Sequence, residues 1–167
     1  MQHRIPVFVS RPLRLTPAQA RSLKVIEGYI VRLGLDPKTY EASEYPTDVP
    51  IAEVHALARI CSGGVILGVI KYSDEPREPQ ASQVGKEFTS QMAPTPWNQI
   101  EAGILYSMGL PLLILRERGV TGGVFDHSTG VIIHDIPKAL TNLSDVEGLN
   151  DALLKWSAQV RAYYYRR

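Results

Sequence analysis

Short apolar runs alternate along the chain with segments of helical periodicity. The first run, Ile5 to Val9, is followed by a polar serine and then a proline, as is typical of a buried strand. The run Val65 to Ile70 is apolar throughout, which predicts a central strand covered on both faces. Two further runs, Leu112 to Leu115 and Val131 to Ile133, predict the fourth and fifth strands. A weaker segment, Thr39 to Ala42, is predicted as the second strand.

Four segments between these runs carry apolar residues at helical spacing. The clearest begins at the capping pair Thr16-Pro17 and stops at Gly34. The others are predicted over Pro50 to Cys61, over Trp97 to Met108 and from about Leu149 onward. In the third helix, we expect one inward side made of Trp97, Ile100, Ile104 or Leu105, and Met108.

This alternation of strands and helices predicts an α/β fold, with a parallel sheet and helices on both faces. Five strands suit the order 2-1-3-4-5 of flavodoxin-like, doubly wound folds. The length fits one domain over residues 1–167. The segment from Lys71 to Pro96 holds four prolines and shows no period, so we predict a long functional loop there.

Composition excludes several classes of function. The chain has 18 Lys and Arg against 17 Asp and Glu, and this net charge of +1 provides no bulk field for nucleic acid or an anionic membrane. The single cysteine, Cys61, excludes an internal disulfide. The four histidines lack metal-ligand spacing, so no metal site is expected. With neither a membrane-length apolar run nor a signal-peptide pattern, we expect a cytoplasmic protein.

Ligands of open parallel sheets bind beyond the carboxyl ends of the strands. This rule selects four segments that we expect to share one cleft: Ser10 with Arg11, Tyr72 to Asp74, the start of the helix at Trp97, and Arg116 with Glu117.

Glu101 is the sharpest candidate for chemistry. It falls in the second turn of the third helix, where a carboxylate that faces the cleft can act as a nucleophile or stabilise a developing cation. Spacing alone favours the alternative, in which Asn98, Gln99 and Glu101 form a solvent-exposed polar side of the helix.

Three motifs carry a resemblance to known families. Residues 8–11 (FVSR) resemble the first-strand motif of TIR domains, and residues 96–104 (PWNQIEAGI) resemble their tryptophan-x-x-x-glutamate helix. Residues 109–115 (GLPLLIL) resemble the join to the next strand that TIR-like proteins share with nucleoside 2-deoxyribosyltransferases, although Leu110 stands where a lysine is common. The resemblance covers roughly Ile5 to Arg118.

The resemblance implies cleavage or transfer of an N-glycosidic bond in a nucleotide such as NAD. Glu101 matches the glutamate that attacks or stabilises the anomeric carbon in both families. The deoxyribosyltransferase comparison adds Asp74 as the second catalytic residue, which handles the proton on the leaving base; a solvated loop acid is the alternative.

The residues expected to bind substrate lie around these two carboxyl groups. Trp97 is a candidate to stack on a base or ribose face, with core packing as the alternative. Ser10 and Arg11 are candidates to contact phosphate or ribose hydroxyls, with strand termination as the alternative. The full set is Phe8, Ser10, Arg11, Ser73, Trp97, Asn98 and Arg116.

Two other functions stay open from the sequence. One is a nucleoside or nucleotide deoxyribosyltransferase or hydrolase, and the other is a non-catalytic nucleotide-sensing or assembly module. No cofactor is implied beyond NAD or a nucleotide as substrate. The expected partners include further copies of the chain, through the aromatic tail 163–167, but not a membrane or nucleic acid. The resemblance to TIR domains further implies a partner protein of a bacterial defence system.

Overall fold

The computed structural model describes residues 4–12, 15–40, 50–70, 96–126 and 130–167. Within these ranges, strands and helices alternate along the chain. The strands are β1 (Ile5–Ser10), β2 (Leu35–Lys38), β3 (Gly64–Gly68), β4 (Leu112–Glu117) and β5 (Ile132–Ile136). The helices are α1 (Pro17–Arg32), α2 (Pro50–Ile60), α3 (Pro96–Ser107) and α4 (Leu149–Tyr164).

The five strands form one parallel sheet in the order β2-β1-β3-β4-β5. This confirms the predicted α/β, flavodoxin-like topology. Ser10 pairs with Ile66, and Gly68 pairs with Arg116. Because all strands run the same way, their last residues lie together at one end of the sheet, which we call the carboxyl end: Ser10, Lys38, Gly68, Glu117 and Ile136.

Apolar side chains fill both faces of the sheet. One cluster joins the strands to α1 and α4 and includes Val7 and Val9 of β1. The other joins them to α2 and α3 and includes Phe8. Since successive strand residues point to opposite faces, Ser10 shares the side of Phe8 and faces the layer of α2 and α3.

Helix α1 begins and ends as its sequence predicts. The Thr16 side chain accepts a hydrogen bond from the Gln19 backbone N–H, and the Gln19 side chain accepts one from the Thr16 N–H, so the two residues form a capping box. After the helix, Gly34 adopts a φ of +77°, a left-handed conformation that glycine tolerates and that turns the chain directly into β2.

The predicted position of the second strand is wrong. Strand β2 is Leu35–Lys38 and begins immediately after Gly34, whereas Thr39 and Tyr40 follow it. Its anchor is Leu35, which is fully buried and pairs with Ile5. Strand β2 is an edge strand that pairs with β1 alone. It can contain a proline, because an edge strand tolerates a missing backbone N–H.

Other predicted boundaries hold within about three residues, with local exceptions. Strand β3 ends at Gly68, before the predicted Val69 and Ile70, and β5 continues through His134 and Asp135 to Ile136. On α2, Ile51 is exposed, although it lies at helical spacing from the buried Val54 and Ala58. Among the described helices, none has the length and apolar character needed to cross a membrane.

Candidate functional site

The inward side of α3 carries polar residues. Asn98 and Glu101 are buried, whereas Trp97 and Ile100 are each 38% exposed. The predicted inward side built on Trp97 and Ile100 is therefore wrong. The alternative of a solvent-exposed polar side is wrong as well, because Glu101 is only 7% exposed.

A close contact with β3 sets the rotation of α3. A Cβ atom added to Gly64 would lie 2.7 Å from Cδ1 of Leu105, so the absence of a side chain at Gly64 makes room for Leu105. Leu105 and Ala102 are both buried against the sheet. With these two residues inward, the helical spacing of three and four residues also turns Asn98 and Glu101 inward.

Three buried side chains from two elements form a hydrogen-bonded chain at the carboxyl end of the sheet. The Asn98 amide Nδ2 donates to Ser10 Oγ over 2.9 Å, and the Ser10 hydroxyl donates to Oε2 of Glu101. Because Asn98 occupies a lone pair of the serine oxygen, the serine proton is directed at the carboxylate. The structure thus brings together three predicted site residues, of which Ser10 and Glu101 are 91 positions apart in the sequence.

Burial raises the pKa of Glu101 above its ordinary value of 4.5, and the hydrogen bond from Ser10 lowers it in part. The ionised carboxylate is therefore weakly solvated. A charge in such surroundings interacts more strongly with a nearby opposite charge than it would in water.

At neutral pH, Glu101→Gln is expected to raise the free energy of unfolding. The raised pKa means that the folded state binds the Glu101 proton more tightly than the unfolded chain, so ionisation costs stability once the pH exceeds that pKa. Below pH 4.5 both states are protonated and this cost disappears. Thermal melts of the two proteins between about pH 4 and about pH 8 measure the effect. The Tm difference should be widest at the alkaline end, and a difference that is widest in acid would contradict the burial argument.

A turn of the β4–β5 connection lies against the first part of α3. Gln99 holds this turn, because its Nε2 donates to the Gly122 carbonyl over 3.0 Å and its Oε1 accepts from the Val124 N–H over 3.0 Å. The turn places the ring of Phe125 over Gly68, where an added Cβ would lie 2.3 Å from the ring. Phe125 therefore covers the end of β3 beside the candidate site.

Arg116 is held by its neighbours at the carboxyl end. Its Nε forms an ion pair with Oδ1 of Asp135 at 2.6 Å, and its Nη1 donates to the Phe125 carbonyl. The guanidinium is buried in these contacts. The structure thus shows that Arg116 fastens β4 to β5 and to the turn at Phe125, while its contact with substrate stays a prediction.

The Glu117 side chain joins three segments on the face of the sheet that packs against α1 and α4. Its Oε1 accepts from Gln19 Nε2 over 2.9 Å, and its Oε2 accepts from the Ile70 N–H over 2.8 Å. Gln19 also donates to the Ile70 carbonyl over 3.1 Å. This network fastens the start of α1 to the ends of β3 and β4. Gln19 is not among the predicted site residues, although the T-x-x-Q spacing from Thr16 is a capping-box signal.

The remaining predicted site residues fall in different places. Phe8 is fully buried in the core that faces α2 and α3, which gives it a packing role. Arg11 is exposed. Burial of Glu27 in α1 raises the pKa of that residue, and the positive charge of Arg11 lowers it in part. Ser73 and Asp74 lie outside the described residues. Within the described ranges, no group of three or more His, Cys, Asp or Glu side chains is placed to hold a metal ion.

Comparisons with known proteins leave the family open. A scan against protein-family models matches no family, and a search of curated proteins finds no match. The resemblance to TIR domains and deoxyribosyltransferases thus rests on the three motifs alone.

Proposed function

We propose that the protein cleaves or transfers the N-glycosidic bond of a nucleotide such as NAD, with Glu101 stabilising the ribosyl cation. The observation that supports this proposal is the buried Glu101 carboxylate, which the Asn98–Ser10 hydrogen bonds hold at the carboxyl end of a parallel sheet. Ligands bind at this end in open α/β sheets. A buried carboxylate also suits chemistry in which positive charge develops on the substrate.

The proposed reaction on NAD begins with loss of nicotinamide. The bond between ribose C1′ and the pyridinium nitrogen breaks, and both electrons leave with nicotinamide, which becomes neutral. The sugar becomes an oxocarbenium cation that the Glu101 carboxylate stabilises by its charge or traps as an ester. Water then adds to C1′ of the cation, or displaces the Glu101 carboxylate from C1′ of the ester as the C1′–O bond breaks and its electrons return to the carboxylate. The proton of water goes to the carboxylate or to solvent, and the product is ADP-ribose. In the transfer reaction, an acceptor hydroxyl or base replaces water.

The leaving group favours NAD over a neutral nucleoside. Nicotinamide is already cationic in NAD and departs neutral without a proton, so one carboxylate is sufficient for this step. A purine or pyrimidine base needs a proton as it leaves, and that reaction needs a second acid. Asp74 is the predicted acid for it, but lies outside the described residues.

Ser10 and Asn98 act as positioning residues in this proposal. They fix one oxygen of Glu101 and hence the plane of the carboxylate. The exposed ring of Trp97, one turn before Glu101 on α3, is available to stack on the base or ribose. This exposure agrees better with substrate contact than with core packing.

The test is incubation of the pure protein with NAD, with nicotinamide release followed by chromatography. A parallel reaction with a deoxynucleoside and a second free base measures base exchange. Release of nicotinamide supports the proposal. Base exchange without nicotinamide release supports the deoxyribosyltransferase instead, and calorimetric binding of NAD with no product over hours supports a non-catalytic nucleotide-sensing module.

Ser10→Ala is expected to shift the pH dependence of the reaction. Activity requires ionised Glu101, whose pKa burial raises, so the acidic limb of the kcat profile should lie above pH 4.5. Removing the Ser10 hydroxyl removes the hydrogen bond that lowers this pKa, so the limb should move further toward alkaline pH. We expect kcat at acidic pH to fall about tenfold, from the loss of one charge-assisted hydrogen bond.

A second buried serine provides the control for that measurement. Ser157 in α4 donates to the Leu154 carbonyl over 2.8 Å and lies on the opposite face of the sheet. Ser157→Ala should leave the acidic limb in place. An equal shift in both variants would show that the limb does not report the Ser10 hydrogen bond.

A further inference from the structure

A cavity of about 860 Å³ lies at the opposite end of the sheet from Glu101. Its floor is the turn from Gly109 to Pro111, which precedes β4, and the last part of α4 lies beside this floor. We call this cavity the basic groove, because three of its lining residues are Lys155, Arg166 and Arg167, and no acidic residue lines it among those that the structure describes. Its volume lies in the range of about 300–1,000 Å³ that is typical of small-molecule sites.

Within the described ranges, the cations of the basic groove form no ion pair with a carboxylate. Asp151 stands one helical turn before Lys155, a spacing that favours an ion pair, yet the two side chains form none. Lys155 instead lines the groove. Arg166 donates from Nε to the Ala162 carbonyl over 2.9 Å, and Arg167 donates from Nη2 to the Arg59 carbonyl over 2.7 Å. Each of these bonds uses one of the five N–H donors of a guanidinium, so donors are left for an anion.

Backbone hydrogen bonds hold the floor of the groove. The Pro111 carbonyl accepts from the Trp156 indole N–H over 3.1 Å and from the Gly64 N–H over 2.9 Å. The Leu110 N–H donates to the Leu105 carbonyl over 3.1 Å and thus closes the end of α3. The floor is fixed by contacts with α3, α4 and the sheet, so a ligand meets a preformed surface.

The groove combines an apolar floor with a basic rim. Leu110 and Pro111 form the floor beside Tyr163, whose half-buried ring packs on the core cluster of α2 and α3. An aromatic ring and a proline are suited to the flat face of a base, whereas lysine and arginine side chains are suited to phosphate groups.

We propose that the basic groove is a binding site for a nucleoside polyphosphate, separate from the site at Glu101. The base lies on Pro111 and Tyr163, and the phosphates contact Arg166 and Arg167. A small ligand matches the volume of the groove, and its negative charge complements the three basic side chains that line it. A site of this kind would let a nucleotide bind the protein without occupying the proposed catalytic position.

Calorimetric titration of the full chain with ATP tests this proposal. Wild-type protein should bind ATP, and Arg166→Glu with Arg167→Glu should weaken the affinity at least tenfold, because two contacts with phosphate are replaced by repulsion. Arg21→Glu with Lys24→Glu changes the charge equally at exposed positions of α1 and should leave the affinity within about twofold. Trp97→Ala, which should weaken nucleotide binding at the proposed catalytic site, should leave the ATP affinity unchanged, which separates the two sites.

Two further measurements identify the occupant. Tyr163→Leu keeps an apolar side chain in the core but removes the aromatic ring, so it should weaken ATP binding and leave binding of inorganic tripolyphosphate unchanged. Binding of a labelled single-stranded oligonucleotide is compared with binding of ATP, which distinguishes a polymeric nucleic acid from a free nucleotide as the occupant.

Several results would overturn the proposal. These are no ATP binding by the wild type, equal weakening by the two charge-reversal pairs, ATP affinity no higher than that of tripolyphosphate, or tighter binding of the oligonucleotide through the same two arginines.

Discussion

Glu101→Gln is expected to lower nicotinamide release from NAD by about two to four orders of magnitude, the usual cost of removing a group that stabilises transition-state charge. The substitution keeps the size of the side chain and an oxygen that can accept from Ser10. It removes the negative charge that would face the ribosyl cation. Binding of NAD should change far less than kcat, because the charge on the sugar develops in the transition state.

Glu117→Gln is the matched control for this prediction. Glu117 is also a buried carboxyl group near the carboxyl end of the sheet, but it faces α1 and is bonded to Gln19 and Ile70. Its substitution should lower stability and leave kcat of the folded protein within a few-fold. Unchanged kcat in Glu101→Gln would remove that residue from catalysis, and equal losses in both variants would indicate general damage to this end of the sheet.

Trp156→Ala is expected to cost about 3–5 kcal/mol of unfolding free energy, the usual range for deleting a buried large aromatic side chain. Trp156 is fully buried between α4 and the sheet, and its indole N–H is bonded to the Pro111 carbonyl. The alanine variant leaves a cavity in the core and removes one donor from that carbonyl. The loss is a large fraction of the stability of an ordinary domain.

Trp97→Ala provides the comparison, because Trp97 is the other tryptophan and is 38% exposed. We expect it to cost about 1 kcal/mol or less, as is usual for a substitution near the surface. Urea unfolding followed by circular dichroism measures both variants without relying on tryptophan fluorescence. If Trp97 contacts substrate, its variant should keep its fold and lose affinity for NAD; a larger loss of stability at Trp97 than at Trp156 would contradict the assigned burial.

The sequence is sufficient to predict the sheet order and most of the elements. The ends of helix α1 are encoded locally, since Thr16 and Pro17 start the helix and Gly34 ends it through the conformation of the adjacent backbone. Strand β2 has no comparable signal, because it is four residues long and contains a proline. Its place depends on pairing with β1 and on the burial of Leu35, which are contacts between distant parts of the chain.

The candidate site is predictable in its members but not in its arrangement. The rule for strand ends finds Ser10, and the motif resemblance finds Glu101. Neither gives the rotation of α3, because Trp97 and Ile100 offer an equally good apolar spacing. The contact between Leu105 and the vacant space at Gly64 decides the rotation, and no local pattern along α3 encodes it. The ion pair of Arg116 with Asp135 is likewise a product of strand pairing.

The two buried carboxylates differ in how many of their oxygens are satisfied. Glu117 has a donor on each oxygen, Gln19 on Oε1 and the Ile70 N–H on Oε2. Among the described residues, Glu101 receives one donor, Ser10 on Oε2, so its Oε1 keeps its lone pairs. No buried side-chain oxygen or nitrogen of the described residues lacks a partner, so Oε1 retains access to solvent. Burial alone would rank the two residues together, whereas the count of donors on each oxygen separates a carboxylate that fastens the fold from one with an oxygen that no donor of the described residues occupies.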